Sequence, residues 1–156
     1  RHGETARRLG MPILVGEWGA YGRHPGTLPA AWHVVRQFEK LLCGETYWAY
    51  EPGIEDAPCF PAIRRPYPER VAGELERYHY DPEGAALEVV WREDGLVAAP
   101  SRIYLPDRFA GGVHVDLVPR GRGTMAVATS EGSAGCYIEI PPVSDACTRH
   151  LVIQQR

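Results

Sequence analysis

The residues best suited to chemistry are Glu17 and Trp48, and each sits in a short, unusual stretch. Glu17 closes the run Pro12-Ile13-Leu14-Val15-Gly16-Glu17-Trp18-Gly19. Ile13, Leu14 and Val15 are adjacent and apolar, and two of them are β-branched. They predict a strand buried on both faces. A carboxylate at the C-terminal end of such a strand is costly unless its charge is used. Gly16 and Gly19 leave room for a ligand or another backbone to come close. A carboxylate so placed suits a catalytic nucleophile. The plainer alternative is a strand-end Glu that caps a helix or pairs with an arginine.

Trp48 lies in Glu45-Thr46-Tyr47-Trp48-Ala49-Tyr50, a second predicted strand rich in aromatic and β-branched residues. It comes one β-α unit after Glu17. In a parallel barrel, side chains at neighbouring strand ends converge on one mouth. An indole there is a flat apolar platform, and a sugar ring presents a flat C–H face that stacks on it. The alternative is a core tryptophan. Trp18, Tyr21 and His24 lie just after Glu17 and would bound such a site, although His24 also reads as a solvated loop residue. Tyr50 and Glu51 close the second strand and would line its rim.

Positioning these residues falls to a few elements. A helix is expected over 1–9, stopped by Gly10. A strand over 11–17 follows, then a Gly-, Pro- and His-rich loop. Ala31, Val34, Val35, Phe38, Leu41 and Leu42 recur at three- and four-residue spacing, which predicts a helix over 29–42. Pro29 suits its first turn and Gly44 its stop. With the strand over 45–50 this makes a β-α-β unit, hence parallel strands and a right-handed crossover. Two parallel strands need the rest of a barrel or an open sheet. A Pro-rich loop over 51–65 carries Ile54, Phe60 and Ile63, candidates for an apolar wall. Residues 64–73 read as a connector.

The character changes near residue 73. Alternating stretches recur at 76–80, 86–92, 101–105, 113–117, 125–129, 136–140 and 148–153. Gly, Pro, Asp and Ser separate them, and Asp81-Pro82-Glu83-Gly84 is a turn signal. The pattern predicts a β-sandwich. Asp107, Asp116 and Glu139 lie in or beside these strands without forming a catalytic pair.

Composition bounds the rest. A chain of 156 residues that is 44% hydrophobic and 24% charged is ordinary for a globular protein. A formal net charge of -3 gives no nucleic-acid footprint. No apolar run approaches the roughly 18 residues of a membrane span. None of the four cysteines forms a C-x-x-C pair, so no zinc site is expected. Cys136 and Cys147 fall on two predicted neighbouring strands, where they would form a disulfide or remain free thiols. His2, His79, His114 and His150 are too scattered for a metal, and no cofactor is expected. The chain opens on Arg1 inside a predicted helix, as a piece of a longer protein would.

With Pro12-Ile13-Leu14-Val15-Gly16-Glu17-Trp18-Gly19 and Thr46-Tyr47-Trp48-Ala49-Tyr50 in view, the chain resembles the C-terminal part of family 5 glycoside hydrolases. The run Arg65-Pro66-Tyr67-Pro68-Glu69-Arg70-Val71-Ala72-Gly73, followed by a sandwich, is similar to the endoglycoceramidase branch. That resemblance implies an α/β plus all-β chain. Residues 1–73 would be the last two β/α units of a (β/α)8 TIM barrel, and 74–156 a C-terminal antiparallel β-sandwich. It implies that Glu17 is the nucleophile closing the seventh strand and that Trp48 on the eighth stacks on the sugar. It implies a glycan or glycolipid substrate cut between oligosaccharide and ceramide, with membrane-surface contact through that substrate. The parent would be secreted or extracytoplasmic.

The departures are as telling. Retaining hydrolysis takes two carboxyl groups about 5–5.5 Å apart. In this family the acid/base Glu follows an Asn, and the sequence contains no Asn. The acid/base and the N-terminal barrel portion are therefore expected outside these residues, leaving the chain inactive alone. The other readings are a non-catalytic glycan- or lipid-binding sandwich and a β-glucanase of the same family.

Overall fold

The computed structural model describes residues 2–19, 24–120, 125–129 and 135–156. The chain divides into two compact units, Arg1–Arg64 and Arg65–Arg156.

In the first unit, helix α1 (His2–Leu9) stops at Gly10, whose φ of 63° is the left-handed turn glycine tolerates best. The Met11 N–H closes the end on the Ala6 carbonyl at 3.0 Å. Strand β1 is Leu14–Trp18 and helix α2 is Thr27–Leu41. The predicted stripe is the buried one, with Ala31, Val35 and Phe38 on it. Leu42, not Gly44, ends α2: it turns left-handed and its N–H reaches the Glu39 and Phe38 carbonyls. Gly44 instead opens strand β2 (Gly44–Tyr47), where an added Cβ would come within 3.1 Å of Leu14 Cδ1. Strands β1 and β2 pair in parallel across α2, as the β-α-β reading expects.

The Pro-rich stretch is more structured than a loop. It holds a 3-10 turn at Ile54–Asp56 and a short helix α3 (Phe60–Ile63). Ile54 is buried and Ile63 packs on the unit's core, so neither is free to wall a substrate.

That core gathers Trp18, Ala31, Val35, Phe38, Cys43, Cys59 and Ala62, with Ile13, Val15 and Tyr47 packed against it. The first strand is not buried on both faces. Leu14 is 69% exposed, because in this two-stranded sheet the core covers only the Ile13 and Val15 side. Hydrogen–deuterium exchange read by mass spectrometry should therefore be faster in β1 and β2 than in the sandwich strands described next. Each of the first pair has one hydrogen-bonded neighbour, which leaves local opening cheap. Equal protection would show that something covers this sheet.

The second unit is two four-stranded antiparallel sheets. One has the order β4 (Glu74–Asp81), β5 (Ala86–Glu93), β10 (Cys147–Gln155), β7 (Val113–Val118). The other runs β3 (Tyr67–Arg70), β6 (Ser101–Pro106), β9 (Gly135–Ile140), β8 (Ala126–Thr129). Strict alternation builds the core: Leu87, Val89 and Trp91 on β5, Leu151 and Ile153 on β10, Ile103 and Leu105 on β6, and Ile138 and Ile140 on β9 are all buried. Asp81 Oδ1 accepts the Glu83 N–H at 3.0 Å and turns β4 into β5.

Two expectations change here. The connector contains β3, a strand paired with β6, and the compact units part between Arg64 and Arg65 rather than at 73. Pro68 hides this strand from a sequence reading, yet proline is tolerated on an edge strand, and β3 is one. Cys136 and Cys147 lie on different sheets, on β9 and β10, and both are free thiols.

Candidate active site

Glu17 is exposed, and the reason lies in the β1–β2 register. Leu14 pairs with Gly44 and Val15 with Glu45, but the next pair is Trp18 with Tyr47. Three steps along β1 match two along β2, so Gly16–Glu17 carries a surplus residue, a β-bulge. Strict alternation would put Ile13, Val15 and Glu17 on the side facing α2. The bulge breaks that phase. Ile13, Val15 and then Trp18 pack on the core, while Gly16 and Glu17 stay exposed. Among the described residues Glu17 has no hydrogen-bond or ion-pair partner, so the capping or arginine-paired alternative finds no support there. A Cβ added at Gly16 would meet nothing within 4 Å, so the space beside the carboxylate is open.

On β2, Tyr47 faces the core and its neighbours Thr46 and Trp48 are exposed on the opposite side. The Thr46 hydroxyl donates to the Gly16 carbonyl across the bulge. The Trp48 N–H donates to the Trp18 carbonyl at 2.7 Å and extends the pairing by one step. Glu17, Thr46 and Trp48 thus share one face. Trp48 follows the last residue of β2 rather than sitting mid-strand, is 56% exposed, and its peptide to Ala49 is cis. Tyr50, 79% exposed, and Glu51 also lie beyond the strand in open positions.

Trp18 is a correction. Its ring meets Phe38 and Tyr47 edge-on, with centroids 5.5 and 5.2 Å away. It is 9% exposed and belongs to the core, not to a substrate surface. Tyr21 lies outside the described residues. His24 is exposed and its Nδ1 accepts the Gly26 N–H at 3.0 Å, a local turn contact.

The sandwich has its own aromatic feature. Tyr67, Tyr104 and Tyr137 line up across β3, β6 and β9. Neighbouring centroids are 5.2 and 5.5 Å apart at tilts of 39° and 58°. The Arg102 guanidinium lies 3.8 Å over the Tyr137 ring, held beside Glu69 and Glu139. Burial is the main cause that raises the Tyr67 and Tyr137 hydroxyls above the usual phenol pKa. The rings pack on one another and under a guanidinium, so the row reads as cross-strand cohesion rather than a flat glycan platform.

The charged pair that sequence reasoning missed is Glu93 with Arg149, Oε1 to Nη1 at 3.0 Å, both fully buried in the sandwich. The signal was present: Leu87, Val89, Trp91 and Glu93 alternate in one phase, as do Arg149, Leu151 and Ile153. Among the described residues no group of three or more His, Cys, Asp or Glu could hold a metal ion. No helix among them is long and apolar enough to cross a membrane.

Comparison with known proteins adds three findings. The profile of the glycoside hydrolase family 5 C-terminal domain matches residues 65–140. The chain is similar to endo-glycoceramidase II from Rhodococcus sp. That structure in its cellobiose-like isofagomine complex gives a TM-score of 0.73 at 25% identity, covering 98% of this chain and 34% of that one. The same protein as a lactosyl-enzyme intermediate gives 0.71 at 26%, covering 98% and 35%. Sterylglucosidase 1 from Cryptococcus neoformans shares the fold, with a TM-score of 0.67 at 17% identity over 93% of this chain and 28% of that one. The chain thus spans about a third of the length of the endo-glycoceramidase structures, 35% in the lactosyl-enzyme case. A comparison with curated proteins found no match.

Proposed function

We propose that the chain, whose residues 65–140 match the glycoside hydrolase family 5 C-terminal domain, is the C-terminal part of a retaining hydrolase of β-glycosidic bonds, cutting oligosaccharide from ceramide in glycosphingolipids. The observation that carries the reading is the exposure of Glu17 and Trp48 on one face, at the C-terminal ends of two adjacent parallel strands. Barrel enzymes build their sites at that end. Further support comes from the sheet's unfinished state. Leu14 is bare, and the buried indole N–H of Trp18 has no acceptor among the described residues. More strands of a (β/α)8 barrel, supplied from outside these residues, would cover both.

In this reading the Glu17 carboxylate attacks the anomeric carbon as the bond to the leaving oxygen breaks. An acid/base carboxyl from the rest of the barrel gives that oxygen its proton. The same group then takes a proton from water, which attacks the anomeric carbon and frees Glu17. Trp48 stacks on the ring and keeps water from one face, while Tyr50 and Glu51 line the rim. No metal or cofactor takes part. The ceramide end implies contact with a membrane surface through the substrate, and a secreted or extracytoplasmic parent.

The test is hydrolysis by the full-length protein that contains this chain. Lactosyl-ceramide should release its disaccharide with the anomeric configuration retained, and the chain alone should release none. Inversion at the anomeric carbon, or cleavage of a β-glucan in preference to glycolipid, would overturn the mechanism or the substrate respectively. Trp48→Ala in the same protein is expected to raise KM about 5-fold, the worth of roughly 1 kcal/mol of ring stacking. An unchanged KM would show that the indole does not touch the sugar.

A further inference from the structure

We infer that Thr46 is the residue that aims Glu17; the inference rests on Glu17 being the nucleophile. Bulges are uncommon in parallel pairs, and they re-aim side chains where they occur. Here the surplus residue at Gly16–Glu17 lies opposite Thr46. In a regular parallel ladder the carbonyls of alternate residues accept from the partner strand, as that of Ile13 does from the Gly44 N–H at 3.0 Å. The Gly16 carbonyl, outside that series, accepts a hydrogen bond from the Thr46 hydroxyl, and pairing resumes from the Trp48 N–H to the Trp18 carbonyl at 2.7 Å.

Two clamps therefore bracket Glu17. On one side the Thr46 hydroxyl holds the carbonyl of Gly16, the peptide that leads into Glu17. On the other, Trp18 is locked into the core by Phe38 and Tyr47. Between them Gly16–Glu17 carries the surplus residue, with Glu17 exposed. Without the hydroxyl, the Trp18 clamp remains and the unit keeps its core. The Gly16–Glu17 peptide becomes free to rotate, because Gly16 has neither a side chain nor a neighbour within 4 Å of its Cβ position. The carboxylate then spends its time in directions other than the one that meets the anomeric carbon. Thr46 is accordingly a positioning residue. Its hydroxyl is the active part, engaged with the Gly16 carbonyl on an otherwise exposed residue.

The experiment compares Thr46→Val, Thr46→Ser and Glu17→Gln in the full-length enzyme, using an aryl glycoside with an activated leaving group and following kcat, KM and the rate of covalent labelling. Thr46→Val is expected to slow formation of the glycosyl-enzyme about 10- to 100-fold with KM nearly unchanged, the size of effect that about 1 Å of misplacement produces. Thr46→Ser, which keeps the hydroxyl, should recover most of the rate. Should valine prevent folding, Thr46→Ala against Thr46→Ser makes the same comparison. Wild-type rates in Thr46→Val, or equal losses in the hydroxyl-bearing and hydroxyl-free variants, would overturn the role of Thr46 while an inactive Glu17→Gln leaves the nucleophile standing. An active Glu17→Gln would instead remove the proposed function itself.

Discussion

If Glu17 is the nucleophile proposed above, Glu17→Gln in the full-length protein should lower kcat by at least about 10⁴-fold, some 5.4 kcal/mol of transition-state stabilisation, with KM nearly unchanged. The amide keeps the size and polarity of the side chain and loses its nucleophilic oxygen. Since Glu17 is exposed and has no partner among the described residues, the change removes no packing and breaks no ion pair there. Loss of rate can then be read as loss of chemistry rather than of fold. A second measurement locates the covalent bond. A 2-deoxy-2-fluoro glycoside with a good leaving group slows both steps and accumulates the intermediate. The intact mass should rise by one fluoroglycosyl group, and the modified peptide should carry it on Glu17. A label on another carboxylate, or turnover near the wild-type rate in Glu17→Gln, would remove Glu17 from the mechanism.

How far this site was legible in the sequence depends on which physical signal each part relied on. The helix stripe of Ala31, Val35 and Phe38 and the alternation of Leu87, Val89 and Trp91 are periodic, and periodic signals survived into the structure with only their ends moved. The β-α-β reading survived for the same reason. What periodicity could not supply was the phase at the strand's end. Alternation counted from Ile13 puts Glu17 toward the helix and Trp18 away from it. The surplus residue of the bulge reverses both, and nothing in Gly16-Glu17-Trp18 announces it. The same reversal took Trp18 out of the candidate site and left Glu17 in it. Strand β3 was hidden differently: Pro68 reads as a breaker, and only the partner β6 shows that it sits on an edge. Leu14 misled because burial on two faces needs a second layer that residues Arg1–Arg64 do not supply.

The largest stability effect is expected at the pair that sequence reading passed over. Glu93 Oε1 accepts from the Trp91 indole at 2.8 Å and from Arg149 at 3.0 Å, and its Oε2 accepts the Val143 N–H at 2.7 Å. Arg149 also donates to the Arg120 carbonyl at 3.2 Å and, more weakly, to the Pro141 carbonyl at 3.4 Å. The carboxylate is therefore the hub. Glu93→Leu strands a buried guanidinium and takes the acceptor from two more donors; Arg149→Met strands a carboxylate that keeps two. Breaking one side of a buried pair costs about 3–5 kcal/mol, and the leucine variant should fall at the upper end and the methionine variant at the lower. That is a large part of the roughly 5–15 kcal/mol a domain has to lose. The double variant should be more stable than Glu93→Leu alone, since it no longer buries an unpaired charge. It should still fall below wild type, because the Trp91 and Val143 N–H groups remain without their acceptor at about 1–3 kcal/mol each. Urea denaturation of the 156-residue chain, followed by circular dichroism, measures all three. If Arg149→Met proves the more damaging single change, the guanidinium and its carbonyl contacts, rather than the carboxylate, hold this end of the sandwich together.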